Sequence, residues 1–353
     1  MKRRKHQHNR TGGGIRLPAA VSLCFALSLL VFSRAGGEPV AQSALNGLAH
    51  NNGFVTRALA LELGVAPDTA EVYTPRTTAA SRDEQAADPL AESAYVSTEQ
   101  TDDHPVLSAA DKAATVSINN ETSYDIDISA CLAADKHLHA DGDRPQVLIY
   151  HTHSSESYTP DAAFPYTPTE TERTTDTKYN VVRVGDELCN VLEDNGIHAV
   201  HIREIFDAPM YTGAYDRSLA VVEDTLAEYP SITTIIDVHR DSILTDDGRA
   251  YKTSCTINDE ETAQLMLVVG TDDGGLYHPD WQENLDRAAS LQYRLNRTYP
   301  TLMRPLNLRT QRFNQHAADG AFLVEVGASG NTMTEALRSI RLFGAVLSEE
   351  LLS

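Results

Sequence analysis

Three short apolar runs that each end in ionisable residues constrain the fold of this sequence more than any other feature. The run VLIY at 147–150 leads directly into HTHSSE at 151–156. The runs IIDVHRD at 235–241 and FLVEVG at 322–327 repeat the arrangement with a histidine and a glutamate. Because the carboxyl ends of parallel strands meet at one edge of a sheet, we expect these imidazoles and carboxylates to lie close together.

Patterns typical of strands and helices alternate from residue 146 onward. Apolar residues recur at helical spacing between Asn180, which can cap a helix, and Gly196, which can end one. A capping box formed by Thr332 and Glu335 opens a last helix that ends near Leu352. The predicted strands are 147–150, 197–202, 232–238, 264–269 and 321–326, and further helices are predicted at 215–228 and 281–297. This alternation predicts an α/β domain at 144–353, with a mostly parallel central sheet flanked by helices.

The N-terminal part of the chain has the pattern of a secretory signal or a membrane anchor. Residues 1–16 contain six Lys and Arg residues and no acid, and an apolar stretch follows at 17–34. Arg34 stands where a cleavage site needs small residues, which favours an uncleaved transmembrane anchor and an extracytoplasmic C-terminal part. Residues 35–143 are rich in Ala, Thr, Ser, Asp, Glu and Pro, and we predict a largely disordered acidic linker there.

Charge and cysteine content disfavour several classes of function. The net charge of −21 argues against nucleic-acid binding, since the sequence offers no basic face interleaved with aromatic residues. The 4 cysteines are widely spaced and form no CxxC pair, which argues against a disulfide framework and against cysteine catalysis. The sequence also lacks a phosphate-binding glycine-rich loop and the GxSxG and HExxH motifs. A serine hydrolase, a nucleotide enzyme and a helix-based zinc peptidase are therefore disfavoured.

The segment 151–156 has the composition of a metal site. Alternate residues of a strand face the same side, so His151 and His153 can converge, and a turn can bring Glu156 back beside them. Neutral imidazoles and carboxylates are the ligands of a catalytic zinc. His239 ends a second buried strand among further ionisable residues, and such groups are costly to bury unless they are paired or bind a cation. The pattern therefore favours a metal-assisted hydrolase.

Three more side chains are candidates for the reaction itself. Glu325 lies in an otherwise apolar strand, where burial would raise its pKa and suit it to act as a general base; a buried ion pair is the alternative. Arg240 is a candidate for binding a substrate carboxylate or an oxyanion, and an ion pair with a neighbouring aspartate is the alternative. His316 could orient substrate or stabilise an oxyanion. We predict structural or solvent-exposed positions for the histidines His137, His139, His198, His201 and His278.

Seven segments, in the same order along 146–353, resemble the stage II sporulation protein P family, membrane-anchored cell-wall hydrolases of endospore formers. They are IYHTHSSE (149–156), NVVRVGDEL (180–188), YTGAYDRS (211–218), IDVHRD (236–241), HPDWQENL (278–285), RFNQH (312–316) and LVEVG (323–327). The resemblance implies a fold like that of N-acetylmuramoyl-L-alanine amidases and zinc-dependent hydrolysis of the amide between N-acetylmuramic acid and L-alanine. DD-endopeptidase activity on stem-peptide crosslinks is also ascribed to the family. Action at the sporulation septum is implied, with peptidoglycan and the stage II sporulation proteins of types D and M as partners.

The resemblance also implies roles for individual residues. The implied zinc ligands are His153, Glu156 and His239, and the implied catalytic carboxylate is Glu325. Amidases of the wider family usually take their glutamate ligand from just before the first helix, but residues 176–179 contain no Glu. We therefore prefer Glu156, with Glu172 and Asp176 as reserves, and keep His151 as a reserve histidine ligand.

Two other classes of function remain open at this point. A different metallohydrolase of the envelope could use His151, His153 and His239 as three ligands. A catalytically silent scaffold that binds the cell wall is the second alternative. Metal content distinguishes the site of three histidines from the site of His153, Glu156 and His239. The products released from peptidoglycan distinguish a scaffold from a hydrolase.

Overall fold

The structure, a computed structural model, describes residues 72–73, 108–140, 142, 144–169, 171–246 and 248–353. The chain divides into units at Met1–Asp68 and Thr69–Ser353, and the described residues belong to the second. The predicted basic segment, the predicted anchor at 17–34 and most of the predicted linker lie outside them. Within the described ranges, no helix is both long and apolar enough to cross a membrane.

A central sheet of eight strands organises the described part of the chain. Its strands are β1 (Val72–Tyr73), β2 (Ile118–Asn120), β3 (Val147–Tyr150), β4 (Ala199–Ile202), β5 (Thr234–Asp241), β8 (Leu265–Gly270), β9 (Leu306–Arg309) and β10 (Gly320–Ala328). They lie in the order β1-β4-β3-β5-β10-β8-β9-β2. Five of the seven neighbouring pairs are parallel, and β1–β4 and β10–β8 are antiparallel. The prediction of an α/β domain with a mostly parallel sheet is confirmed.

Helices cover both faces of this sheet. The helices of the described residues are α1 (Ala109–Ala113), α2 (Ile128–Ala133), α3 (Val181–Asp194), α4 (Ala214–Glu228), α5 (Trp281–Thr298) and α6 (Met333–Leu351). On one face α3, α5 and α6 share a core with β3, β5, β8 and β10, in which Leu188 and Phe343 are fully buried. On the other face α4 packs Val222 against a second core that includes Leu148 of β3 and Ile235 of β5. This second face carries the candidate site.

The capping residues predicted from the sequence begin the helices α3 and α6. The side chain of Asn180 accepts a hydrogen bond from Val182 N at 3.0 Å, which satisfies a backbone donor of the first turn of α3. Thr332 and Glu335 form a complete capping box at the start of α6. Gly196 follows α3 with φ of 79°, a left-handed conformation that a glycine adopts without strain. Contacts between residues close in sequence therefore define where both helices begin.

Some elements were not predicted from the sequence. The elements α1, β2 and α2 lie within the stretch that we predicted as a linker. β2 pairs in parallel with β9, Cys131 of α2 is buried in the core, and Ala140 N donates to Leu351 O at 2.8 Å. β9 and the hairpin of β6 (Ser254–Ile257) with β7 (Glu260–Ala263) were also missed. Partners far along the chain stabilise these short elements, and local composition does not reveal them.

Candidate metal centre

The loop that leaves β3 is buried and held in a fixed turn. Ser155 donates through its backbone N and its Oγ to the carboxylate of Asp207, at 3.0 and 2.7 Å. Val181 N, in the first turn of α3, donates to Glu156 O at 2.9 Å. Because the chain is tied on both sides of the turn, the side chain of Glu156 comes back beside His153.

Three side chains of the ligand type meet where β3 and β5 end. Glu156 Oε1 lies 3.5 Å from His153 Nδ1, and Glu156 Oε2 lies 3.2 Å from His239 Nδ1. One ligand atom from each residue lies within 4.8 Å of the others. Donor atoms about 2 Å from a common zinc ion lie roughly 3 to 4 Å apart, so these side chains fit one ion. The His153 side chain is the most exposed of the three, at 14%, so the centre opens to solvent on its side.

His239 is supported from behind by a buried carboxylate. Asp237, two residues earlier on the same face of β5, places Oδ1 2.8 Å from His239 Nε2, although the two groups are not aligned for a hydrogen bond. Thr152 fixes Asp237, since its backbone N and its Oγ1 donate to the two carboxylate oxygens at 2.8 and 2.7 Å. A carboxylate on the far nitrogen orients a metal-binding histidine, so Asp237 leaves His239 Nδ1 facing Glu156.

Charges within the centre stabilise one another. Burial alone would raise the pKa of Glu156, but the charge of His239 and hydrogen bonds from His153 and His239 hold it well below its usual range. Burial likewise opposes the charged form of His239, but the carboxylates of Asp237 and Glu156 raise its pKa well above the ordinary value. The buried carboxylate of Glu156 therefore stays ionised and can bind a cation.

Glu325 stands beside the three ligand-type residues on the neighbouring strand. It is the register partner of His239 across the parallel β5–β10 pair. The residue is partly exposed, but its Oε2 is enclosed and has no hydrogen-bond partner. Burial, with added repulsion from Glu156 and Asp241 and against the opposing charge of His239, raises the pKa of Glu325 to about 8. A carboxyl group with such a pKa can both accept and release a proton near neutral pH.

Comparison with known sequences identifies the family. The sequence model of the family described as Stage II sporulation protein P (SpoIIP) matches residues 58–348. The chain belongs to this family. Stage II sporulation protein P of Bacillus subtilis (strain 168) is 31% identical over 219 residues, which cover 59% of this chain and 51% of that protein. The chain thus spans about half the length of this SpoIIP relative.

Several solved structures are similar to the chain at low sequence identity. An N-acetylmuramoyl-L-alanine amidase from Clostridium difficile 630 is 13% identical, with a TM-score of 0.34, and covers 60% of this chain and 94% of its own. The amidase Ami1 from Mycobacterium smegmatis is 13% identical, with a TM-score of 0.34, and covers 59% and 97%. The CwlD amidase from Clostridioides difficile, solved in complex with the GerS lipoprotein, is 10% identical, with a TM-score of 0.34, and covers 57% and 94%.

His151 lies apart from the three ligand-type residues of this SpoIIP-family chain. It is fully buried, and its Nδ1 lies 2.8 Å from Val238 O while its Nε2 lies 2.8 Å from His201 Nε2. Gly185 of α3 passes so close that a Cβ there would lie 2.5 Å from His151 Nε2. Both ring nitrogens are therefore engaged elsewhere, and the geometry favours His153 over the reserve His151.

Arg240 is buried and contacts Glu156 and the residue that follows it. Its guanidinium donates to backbone oxygens, through Nε to Ser157 O at 2.9 Å and through Nη2 to Glu172 O at 2.8 Å. Its backbone N donates to Glu156 Oε2 at 3.3 Å. These contacts tie the buried side chain to the loop that follows Glu156. The substrate-binding role that we predicted for Arg240 stays a prediction.

The remaining predicted site residues lie elsewhere. His316 lies in a short turn at Gln315–Ala317, and its ring centroid is 6.5 Å from that of His278. The reserve ligands also lie outside the group. The backbone O of Glu172 accepts from Arg240, and the exposed Asp176 accepts from Lys178 N at 3.1 Å. Of the carboxylates considered from the sequence, Glu156 is the one that joins the two histidines.

Sequence reasoning missed two residues that enclose the centre. Arg173 lies 3.3 Å from Glu156 Oε1 and also forms a close ion pair with Asp207. The ring of Tyr211 stacks on His153, with centroids 4.6 Å apart, and the Arg173 guanidinium lies 4.9 Å from the centroid of the Tyr211 ring. Both residues lie in loops that precede helices, where no periodic pattern marks them. Tyr211 is the first residue of the family segment 211–218, which is the one available signal for it.

Proposed function

We propose that this chain is a zinc-dependent peptidoglycan hydrolase that cleaves the amide between N-acetylmuramic acid and L-alanine. The observation that carries the proposal is the meeting of His153, Glu156 and His239 within reach of one ion, beside the proton-transferring carboxyl of Glu325. Membership of the stage II sporulation protein P family supports it. Since the chain spans about half of its curated relative, the activity is argued from the centre itself.

The donor set suits zinc. Two imidazole nitrogens and one carboxylate make up the ligand set of several catalytic zinc sites, which keep a fourth position open. His153, Glu156 and His239 would hold the ion, and Asp237 would keep the His239 ring in place. When bound, zinc supplies Lewis-acid polarisation of the substrate carbonyl and of water.

Glu325 supplies the proton transfer in this proposal. Its carboxylate accepts a proton from the water that attacks the carbonyl carbon, and its carboxylic acid then protonates the amine of L-alanine as the C–N bond breaks. A pKa of about 8 suits both steps, because neither protonation state is strongly disfavoured near neutral pH. Arg240 and Arg173 act indirectly, since they hold the loop and the carboxylate of Glu156.

The cellular setting is proposed from the sequence. Residues 17–34 would anchor the chain in the membrane, with the hydrolase domain on the extracytoplasmic side of the sporulation septum. The family resemblance suggests stage II sporulation proteins of types D and M as partners. Co-purification of the full chain with each of them from sporulating cells tests this part independently of the chemistry.

Mass spectrometry of digested peptidoglycan tests the activity. The full chain is incubated with purified sacculi under three conditions: without chelator, with chelator, and with chelator followed by zinc. We expect soluble peptides with a new L-alanine amino terminus, loss of their release with chelator, and recovery with zinc. Release of peptides cut only at their crosslinks would replace the amidase by an endopeptidase. A chain that binds sacculi and releases no new amine would instead be a wall-binding scaffold.

A further inference from the structure

A second group of buried nitrogen atoms lies apart from the metal centre. Among the described residues, twelve buried side-chain polar atoms have no hydrogen-bond partner, and four of them belong to His278, Arg312 and His316. His278 is 1% exposed, and both its ring nitrogens lack a partner. The other two atoms are Arg312 Nε and His316 Nδ1. Buried polar atoms in proteins are paired with protein groups, ordered water or a ligand, so four such atoms together mark a place that a polar group can occupy.

These three side chains form one cluster. The ring centroids of His278 and His316 are 6.5 Å apart, and Arg312 Nη1 donates to the backbone O of Tyr277 at 3.1 Å. Burial, and after it the charge of Arg312, lowers the pKa of each histidine to about 4. Each ring is therefore neutral at physiological pH and offers one N–H, while the guanidinium offers only donors.

The segment that carries two of these residues is rigidly held. The side chain of Gln315 accepts from Gly270 N at 2.8 Å and donates to Val268 O at 2.9 Å, so it is tied to the end of β8. The side chain of Asn314 donates to Tyr215 O and to Ser218 Oγ, each at 3.0 Å, so it is tied to α4. Because Asn314 and Gln315 are fixed, the backbone that carries the adjacent His316 is preorganised, which lowers the cost of binding.

We propose that His278, Arg312 and His316 bind a carboxylate group of the peptide stem of the substrate. This inference rests on the proposed function. A carboxylate accepts charge-assisted hydrogen bonds from a guanidinium and further bonds from imidazole N–H groups. The guanidinium would repel a cation, which disfavours a second metal site. The nearby carboxylate of Asp272 is already engaged by Tyr124 Oη at 2.7 Å.

A series of aromatic rings leads from the metal centre to Phe313, the sequence neighbour of Arg312. Phe313, adjacent to Arg312, has its ring centroid 5.9 Å from that of Tyr215. The Tyr215 ring lies 5.5 Å from that of His153. An extended peptide advances about 3.3 Å per residue, so three or four residues beyond the cleaved amide span this path. The cluster would then recognise the stem by its charge while the amide lies at the metal centre.

Binding is tested without catalysis. The full chain with ¹⁵N-labelled histidine is titrated with the stem peptide N-acetyl-L-alanyl-γ-D-glutamyl-L-lysyl-D-alanine and, separately, with the same peptide carrying amides in place of both carboxylates. We expect saturable shifts of the His278 and His316 signals with the acid only, assigned by their loss in His278→Asn and His316→Asn. Arg312→Gln should weaken this binding at least tenfold, and the control Arg309→Gln, which removes an arginine paired with Glu121, should not.

The outcomes distinguish carboxylate binding at this cluster from the hydrolytic activity. Equal shifts with the amide, unchanged binding in Arg312→Gln, or no shift at these two histidines would overturn the proposal and leave a water molecule as the occupant. If wild type hydrolyses peptidoglycan, Arg312→Gln should raise KM about tenfold for stems with free carboxylates, with kcat unchanged, and should not alter amidated stems. If no hydrolysis occurs, the proposed function fails, and the titration still decides whether the cluster binds a carboxylate.

Discussion

Glu325 and His239 are register partners on adjacent parallel strands, so their side chains stand next to each other on one face of the sheet. Burial disfavours the ionised form of Glu325, the charge of His239 favours it, and the charge of Glu156 disfavours it. One carboxylate thus contacts both histidines, and the other keeps an oxygen without a partner. This difference in surroundings supports the proposal that Glu156 binds the metal and Glu325 transfers the proton.

Replacement of Glu325 by Gln should abolish hydrolysis and leave metal binding intact. The amide keeps the size of the side chain but cannot exchange the proton, and general acid–base catalysis is worth about 10²- to 10⁴-fold in rate. The release rate of peptides from sacculi and the zinc content of the same sample are the measurements. Glu228→Gln, at an exposed glutamate of α4, is the control and should behave as wild type. Full activity of Glu325→Gln would remove the general-base assignment.

Zinc content should depend on Glu156 and not on His151. Glu156→Gln removes a carboxylate that lies beside both histidines, and loss of a ligand should cost more than the roughly 10- to 100-fold that loss of a supporting residue costs. His151→Asn should keep zinc, because the ring faces Val238 O and His201. Competition titration with a chromophoric chelator measures both affinities. The reverse order would establish a site of three histidines.

The sequence allowed much of the centre to be predicted, because strand ends are a local property. The runs before His153, His239 and Glu325 are apolar enough to be buried strands, and their parallel arrangement follows from the alternation with helices. Whether the three strand ends lie next to one another then depends only on the order of the strands in the sheet. That order, β3-β5-β10, places them side by side.

Other features of the centre depend on three-dimensional packing. Whether His151 or His153 enters the site is decided by the turn that Ser155 and Asp207 fix, and the partner is distant in sequence. The engagement of Arg240 depends on backbone oxygens of a loop, which carry no sequence signal. The support of His239 by Asp237 was visible only as a cluster of ionisable residues. Pairwise geometry of this kind cannot be derived from periodicity.

Replacement of Gly185 by Ala should destabilise the domain strongly. A Cβ there would lie 2.5 Å from His151 Nε2 and 2.6 Å from His201 Nε2, and both rings are buried. Overpacking of this kind typically costs about 1 to 3 kcal/mol. The free energy of unfolding in urea is the measurement. Gly196→Ala is the control: nothing lies within 4 Å of its Cβ, so only strain at positive φ applies, about 1 kcal/mol. Equal effects at both positions would contradict the contact.

Acid should destabilise the domain partly through His201. Burial lowers the pKa of His201 to about 3, against about 6.5 for an exposed imidazole. Because the folded pKa lies below the unfolded one, the unfolded chain binds the proton first as the pH falls. The stability contribution is therefore complete above about pH 6.5 and is lost progressively towards pH 3. Within that window one such group changes the free energy of unfolding by at most about 1.4 kcal/mol per pH unit.

Urea unfolding at pH 7, 6 and 5, with chelator present throughout, measures this dependence. His201→Gln should be less stable than wild type at pH 7, since His151 loses a buried partner, but should lose about 1 kcal/mol less per pH unit on acidification. His198→Gln, on a more exposed histidine three residues earlier, is the control substitution. Parallel slopes for wild type and His201→Gln would show that His201 does not stay neutral in the folded domain.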